Sequence, residues 1–200
     1  MVIPSSSVSK ATNSVKSYTK GKFIYSFDEG NKNMKELLGG KGANLAEMTK
    51  IGIPVPFGFT ITTEVCEYFS KNKDYPAEFA EQLQDKLKKL EVRMVKRLGD
   101  VRDPLLVSVR SGAAASMPGM MDTVLNLGLN DETVKGLADK TGNERFAYDC
   151  YRRFIQMFGD VVMNVEHNLF EEAIEKMKEK KEVKMDNDLS TEDLKELVNE

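Results

Sequence analysis

The stretch LLVSVRSGAAASMPGMMDT, residues 105–123, sets one arginine between an apolar run and a segment of small residues. Leu105, Leu106, Val107 and Val109 have the apolar, partly β-branched side chains of a buried strand, which is predicted to end at Arg110. Beyond it, Ser111, Gly112, Ala113, Ala114, Ala115 and Ser116 are small enough for a ligand to come close. A guanidinium is always charged, and its planar fork of donors suits phosphate oxygens. Backbone N–H groups on a glycine-containing turn add further donors. The same residues also describe a surface arginine after a core strand and an ordinary turn. Met117, Pro118, Gly119, Met120 and Met121 follow. Methionines there either fill an irregular apolar gap or pack against a flat ring such as a nucleobase.

Toward the N-terminus, LLGGKGANLAEMTKIGIPVP (residues 37–56) places Gly39, Gly40 and Gly42 around Lys41, ahead of a helix expected over 43–50. Glycines let backbone donors approach an oxyanion, lysine adds a compact charge, and a helix start adds a favourable dipole. The spacing is not that of the common P-loop, because position 35 is lysine and Gly42, not serine or threonine, follows Lys41. Nor is it the dinucleotide fingerprint, since Leu45 stands where a third glycine belongs. A tight turn capped by a helix explains the same residues without a ligand.

Composition narrows the classes. The 200 residues, 40% hydrophobic and 30% charged, suffice for one or two globular domains with a core. A net charge of −3 gives no general attraction to nucleic acid or anionic membranes, so an anion site must be a local cluster. Cys66 and Cys150 are too few for a disulfide framework or a zinc site and favour a reducing compartment. Each is expected to be a small buried group. No run approaches the ~20 apolar residues of a membrane span. Residues 1–21, rich in serine and without an acidic residue, read as a disordered leader in a cytoplasmic protein; an organelle address is the alternative.

The remaining elements follow from periodicity. Phe23, Tyr25 and Phe27 mark a strand, FGFTITT (57–63) another, and Thr62 or Thr63 can cap a helix burying Val65, Cys66 and Phe69. Phe79, Leu83, Leu87, Leu90 and Met94 predict an amphipathic helix over 77–98 with its lysines and glutamates outside. After Val124, Leu125, Leu127 and Leu129 the pattern turns helical, over 133–140 and 144–159. Arg145, Arg152 and Arg153 lie on or beside the second helix, where they reach a phosphate, a neighbouring domain or nearby acids. His167, the sole histidine, has no nucleophile or metal set near it in sequence. Lys178 to Lys184 reads as an exposed tract, and Ser190 as the cap of a helix carrying Leu194, Leu197 and Val198. That helix stops within its apolar pattern with no partner visible in the sequence, as in a piece of a longer protein.

With both cationic motifs in view, the chain from about Lys22 to Glu200 resembles the N-terminal nucleotide-binding part of the pyruvate, phosphate dikinase family. LLGGKGANLAEM is similar to a motif shared with phosphoenolpyruvate synthases and glucan water dikinases. ASMPGMMDT and GNERFAYDCYRRFIQMFGDVVM resemble the narrower family. The resemblance implies a partial ATP-grasp domain of α+β class, with a mixed β-sheet subdomain at 22–128 and a helical subdomain at 129–200. It implies ATP-phosphate contacts from Lys41 and Arg110, and the glycine and turn residues Gly39, Gly40, Gly42, Ser111 and Gly112 are further candidates. The family's reaction converts ATP, phosphate and pyruvate reversibly to AMP, pyrophosphate and phosphoenolpyruvate, through a phosphohistidine and with Mg2+. The Mg2+ ligands and the phosphohistidine are expected outside this chain, so it holds no catalytic or metal residue and is expected not to turn over alone. His167 lacks the family's Thr-Ser-His setting. A homodimer is open for the full-length protein. A stand-alone nucleotide-binding module and a docking module without catalysis are the alternatives.

Overall fold

The structure is a computed structural model that describes residues 21–112 and 122–200. The leader expected over 1–21, apart from Gly21, and the small-residue and methionine segment from Ala113 to Met121 therefore lie outside the described residues. Among the described residues, seven α-helices and four short strands make an α+β arrangement. β1 (Ile24–Ser26) and β2 (Phe59–Ile61) pair antiparallel, Tyr25 opposite Thr60. Around them stand α1 (Lys35–Lys50), α2 (Thr63–Asn72) and α3 (Phe79–Met94). Phe23, Ile24, Val65 and Phe79 form their core, with Phe59 and Leu83 packed against it.

The glycine loop expected before residue 43 is mostly helix. Gly40, Lys41 and Gly42 lie in α1, and only Gly39 departs, at φ 69 and ψ 169. That region is open essentially to glycine alone, so the helix breaks there and restarts with Gly40. Gly42 is buried, and a Cβ on it would stand 2.7 Å from Thr60 Cγ2. Its want of a side chain lets α1 lie close on β2.

The strand expected before Arg110 is β3 (Val107–Arg110), antiparallel to β4 (Thr123–Leu127), with Arg110 opposite Thr123. The register shifts between Val107 and Val109, where two steps along β3 are matched by three along β4, and on the bulged β4 side Asn126 has a φ of 59 that an asparagine tolerates. Both sheets are two-stranded and antiparallel, so the expected mixed sheet is absent among the described residues. The expectation of a buried strand also fails. Leu105 is buried, but Val109 is 50% exposed, because a two-stranded ribbon covered on one side leaves its other side open.

The chain then becomes helical: α4 (Thr133–Thr141), α5 (Glu144–Val161), α6 (His167–Lys180) and α7 (Thr191–Asn199). Leu129, Val134, Ala147 and Tyr151 form a second core on which Leu106, Phe154 and Val198 pack. Leu106 precedes β3 and β4 packs on α5, so the hairpin shares its packing with the helices after it. α7 has a capping box on Ser190, and its stripe is covered: Leu194 is fully buried with Met177 and Leu189.

Several expected faces are reassigned. Cys66 is exposed and Phe69 is 39% exposed, because α2 turns Val65 alone into the core; Phe69 stacks instead on Tyr75, and Tyr75 on Phe79. Thr62 holds the cap position of α2 without a side-chain capping bond. Lys86 is buried rather than outside, bonded to Ser26 Oγ at 2.9 Å and to Glu29. The Lys178–Lys184 tract is tied down through Lys178 to Asp186, Lys180 to Glu196 and Lys181 to Asp193.

Candidate functional site

α1 and the β3–β4 hairpin supply the two cations read from the sequence. Thr63 Oγ1 donates to the Glu36 carbonyl at 2.6 Å, pinning the first turn of α1 to the start of α2. Gly39 then redirects the helix, and Lys41 stands in the first turn after the break, half-buried. Arg110 ends β3 with its side chain exposed. Lys41 Nζ donates to the Ser111 carbonyl at 3.4 Å, so two segments 70 residues apart in sequence meet next to Arg110.

The other candidates divide by geometry. Ser111 and Gly112 are exposed beside this junction, and nothing lies within 4 Å of where a Gly112 Cβ would stand. Gly40 is half-buried in the same turn as Lys41, while Gly39 and Gly42 are buried, the first shaping the helix and the second packing on Thr60. Among the described residues no carboxylate pairs with Lys41 or Arg110, so both charges remain available to an anion. Two clefts among the described residues, one between α6 and α7 and one of about 150 Å³ near Asp103 and Leu137, include neither cation.

Arg145, Arg152 and Arg153 are held elsewhere. Arg145 donates to the carbonyls of Leu189 and Asp186 at 2.7 and 2.8 Å, and the buried Arg152 and exposed Arg153 both engage Asp149 at 2.9 Å. His167 lies 3.1 Å from Asp160 and 3.6 Å from Glu171, at the start of α6. Arg145 ties α5 to the segment before α7 and His167 joins α6 to α5, while Arg152 and Arg153 pair with Asp149 within α5.

Sequence reasoning missed Asp122. Its N–H donates to Ser111 Oγ at 2.9 Å and its carbonyl accepts from the Ser111 N–H at 3.0 Å, which joins the two ends of the segment leaving β3. The signal in the sequence is weak, because Ser111 reads there as a small residue and its hydroxyl matters only once the hairpin register is known. No group of three or more His, Cys, Asp or Glu side chains placed to hold a metal occurs among the described residues.

A family model described as pyruvate phosphate dikinase, AMP/ATP-binding domain, matches residues 35–85 and 75–191. Pyruvate, phosphate dikinase of Clostridium symbiosum is 60% identical over 178 residues, 88% of this chain and 20% of that protein. The chloroplastic pyruvate, phosphate dikinase 1 of Oryza sativa subsp. japonica is 61% identical over 171 residues, 85% of this chain and 18% of that protein. Pyruvate, phosphate dikinase 2 of Zea mays is 60% identical over 173 residues, 86% and 20% of the two chains. The chain thus spans about a fifth of the length of the curated relatives it matches. With both cationic motifs inside the matched span, the chain belongs to the pyruvate phosphate dikinase AMP/ATP-binding domain family.

Proposed function

We propose that this chain is the ATP-binding portion of a pyruvate, phosphate dikinase, and that Lys41 and Arg110 hold the nucleotide's phosphates. The observation that carries the reading is the 3.4 Å contact of Lys41 Nζ with the Ser111 carbonyl, which sets an ammonium beside the guanidinium-bearing strand end. A phosphate chain spreads its charge over many oxygens. A point-like ammonium and a planar fork, neither neutralised by a carboxylate, suit those oxygens in different ways. Gly39, Gly40, Gly42, Ser111 and Gly112 shape the surroundings, in part by packing and in part by leaving room.

The whole enzyme would convert ATP, phosphate and pyruvate reversibly to AMP, pyrophosphate and phosphoenolpyruvate. Its phosphohistidine and the ligands of Mg2+ would come from the four fifths of the relatives' length that this chain does not span. The ATP-grasp fold belongs to the same proposal, as do the division into subdomains 22–128 and 129–200 and a homodimer of the full-length protein. The compartment proposed is the cytoplasm, and an organelle would follow if residues 1–21 directed a fused reporter there.

Calorimetry with ATP tests the binding role. The 200-residue chain should give a binding heat, weakened about tenfold or more by Lys41→Ala or Arg110→Ala, the scale of one charge-assisted hydrogen bond. It should transfer no labelled phosphate. Heat unchanged in both variants contradicts the assignment.

A further inference from the structure

We infer that Ser111 is a positioning residue for Lys41, and that it works by withdrawing its own carbonyl from the β-ladder. In a regular hydrogen-bonded antiparallel pair, the two residues exchange both N–H···O=C bonds. Ser111 and Asp122 stand one step beyond the Arg110–Thr123 pair and make half of that exchange, Ser111 N–H donating to the Asp122 carbonyl at 3.0 Å. The other half is rerouted. Asp122 N–H donates to Ser111 Oγ at 2.9 Å, and that hydroxyl donates to the Asp122 carbonyl at 3.3 Å. A hydroxyl has one donor and two acceptor lone pairs, so a single serine can do both. The Ser111 carbonyl is released from the ladder and accepts from Lys41 Nζ instead.

The consequence concerns a flexible side chain. A lysine ammonium on a four-carbon stem loses rotamer freedom when it is fixed, and a preformed contact removes part of that loss before an anion arrives. One of the three ammonium donors goes to Ser111, and among the described residues the other two meet no further partner. Without the hydroxyl, the Asp122 N–H would take the carbonyl back and complete the ordinary pair. Lys41 would then lose its hold. The inference rests on the nucleotide reading only for what Lys41 is held ready to bind; the rerouting itself stands on the hydrogen bonds.

Two measurements test it on the 200-residue chain, using Ser111→Ala, Ser111→Thr and Lys41→Ala. The first needs no nucleotide: competitive acetylation by limiting acetic anhydride, read by mass spectrometry as the rate at Lys41 relative to exposed Lys50. Ser111→Ala should raise the relative rate about threefold, as loss of one modest hydrogen bond would, and Ser111→Thr should restore the parent value. Equal rates in parent and Ser111→Ala overturn the inference whatever ATP does. If Ser111→Ala does not fold, Ser111→Cys, a much weaker donor and acceptor, replaces it in the same comparison. The second is calorimetry with ATP: Ser111→Ala should weaken binding about tenfold, yet change nothing further in the Lys41→Ala background. A full additional loss there overturns the coupling. Should the parent give no heat while acetylation responds as expected, the ATP reading fails and the positioning role stands.

Discussion

Glu29 shows how a single residue can be set against its surroundings. Burial acts to raise its pKa, but hydrogen bonds from Lys22, Lys86 and the Ser26 N–H outweigh that and bring it from an ordinary 4.5 to about 2. Asp193 is likewise lowered, from 3.8 to about 2, by bonds from Lys181 and Ser190. A carboxyl whose pKa is lower folded than unfolded binds more protons when unfolded. Its stabilisation is complete above the unfolded value and drains away as pH falls toward the folded one. Thermal stability should therefore drop between about pH 4.5 and pH 2, and Glu29→Gln should flatten part of that drop. Melting curves across this range check it; a Glu29→Gln curve parallel to the parent's would show that the Lys86 pair does not act this way. The half-exposed carboxylate makes this a shift of modest size.

At the scale of an element, α1 carries the most specific demand. Its two buried glycines differ in kind: Gly39 supplies a backbone conformation, and Gly42 supplies the absence of a methyl group. Gly42→Ala would place Cβ 2.9 Å from Thr60 Oγ1 and 3.2 Å from Leu38 Cβ, besides the Cγ2 contact. A loss of about 1–3 kcal/mol is expected, the usual scale of overpacking, measurable by urea denaturation. Stability equal to the parent's would mean that α1 and β2 are not packed this closely. The element types of α3 to α7 were legible because apolar spacing at three and four residues reports a helix face directly. Which side chain on the face reaches the core was less legible. Lys86 stands seven residues after Phe79 and three after Leu83, on the apolar face of α3, and its charge conceals that placement until Ser26 and Glu29 are seen to satisfy its ammonium there.

At the scale of the whole molecule, a few polar contacts link the elements up to α3 with those from β3 onward among the described residues. Leu105 N–H donates to the Arg97 carbonyl at 2.8 Å, Asp103 bridges Lys96 and Lys140, and Lys41 reaches Ser111. The contacts of Asp103 with Lys140 and of Lys41 with Ser111 span 37 and 70 residues of sequence, and periodicity does not report them. Sequence spacing therefore named Lys41 and Arg110 as cations fit for phosphate, but the Ser111–Asp122 rerouting that links them needed the hairpin register. The exposure of β3 was illegible for a related reason, since an apolar run does not reveal how many strands will cover it.

The central claim is that Lys41 and Arg110 meet one phosphate chain. The most direct measurement is phosphorus-31 NMR of ATP titrated with the 200-residue chain, Lys41→Ala and Arg110→Ala. The account predicts shifted and broadened phosphate resonances with the parent and a loss of that perturbation in each variant. Phosphate resonances that the parent leaves unmoved, or that both variants move as much as the parent does, would contradict it.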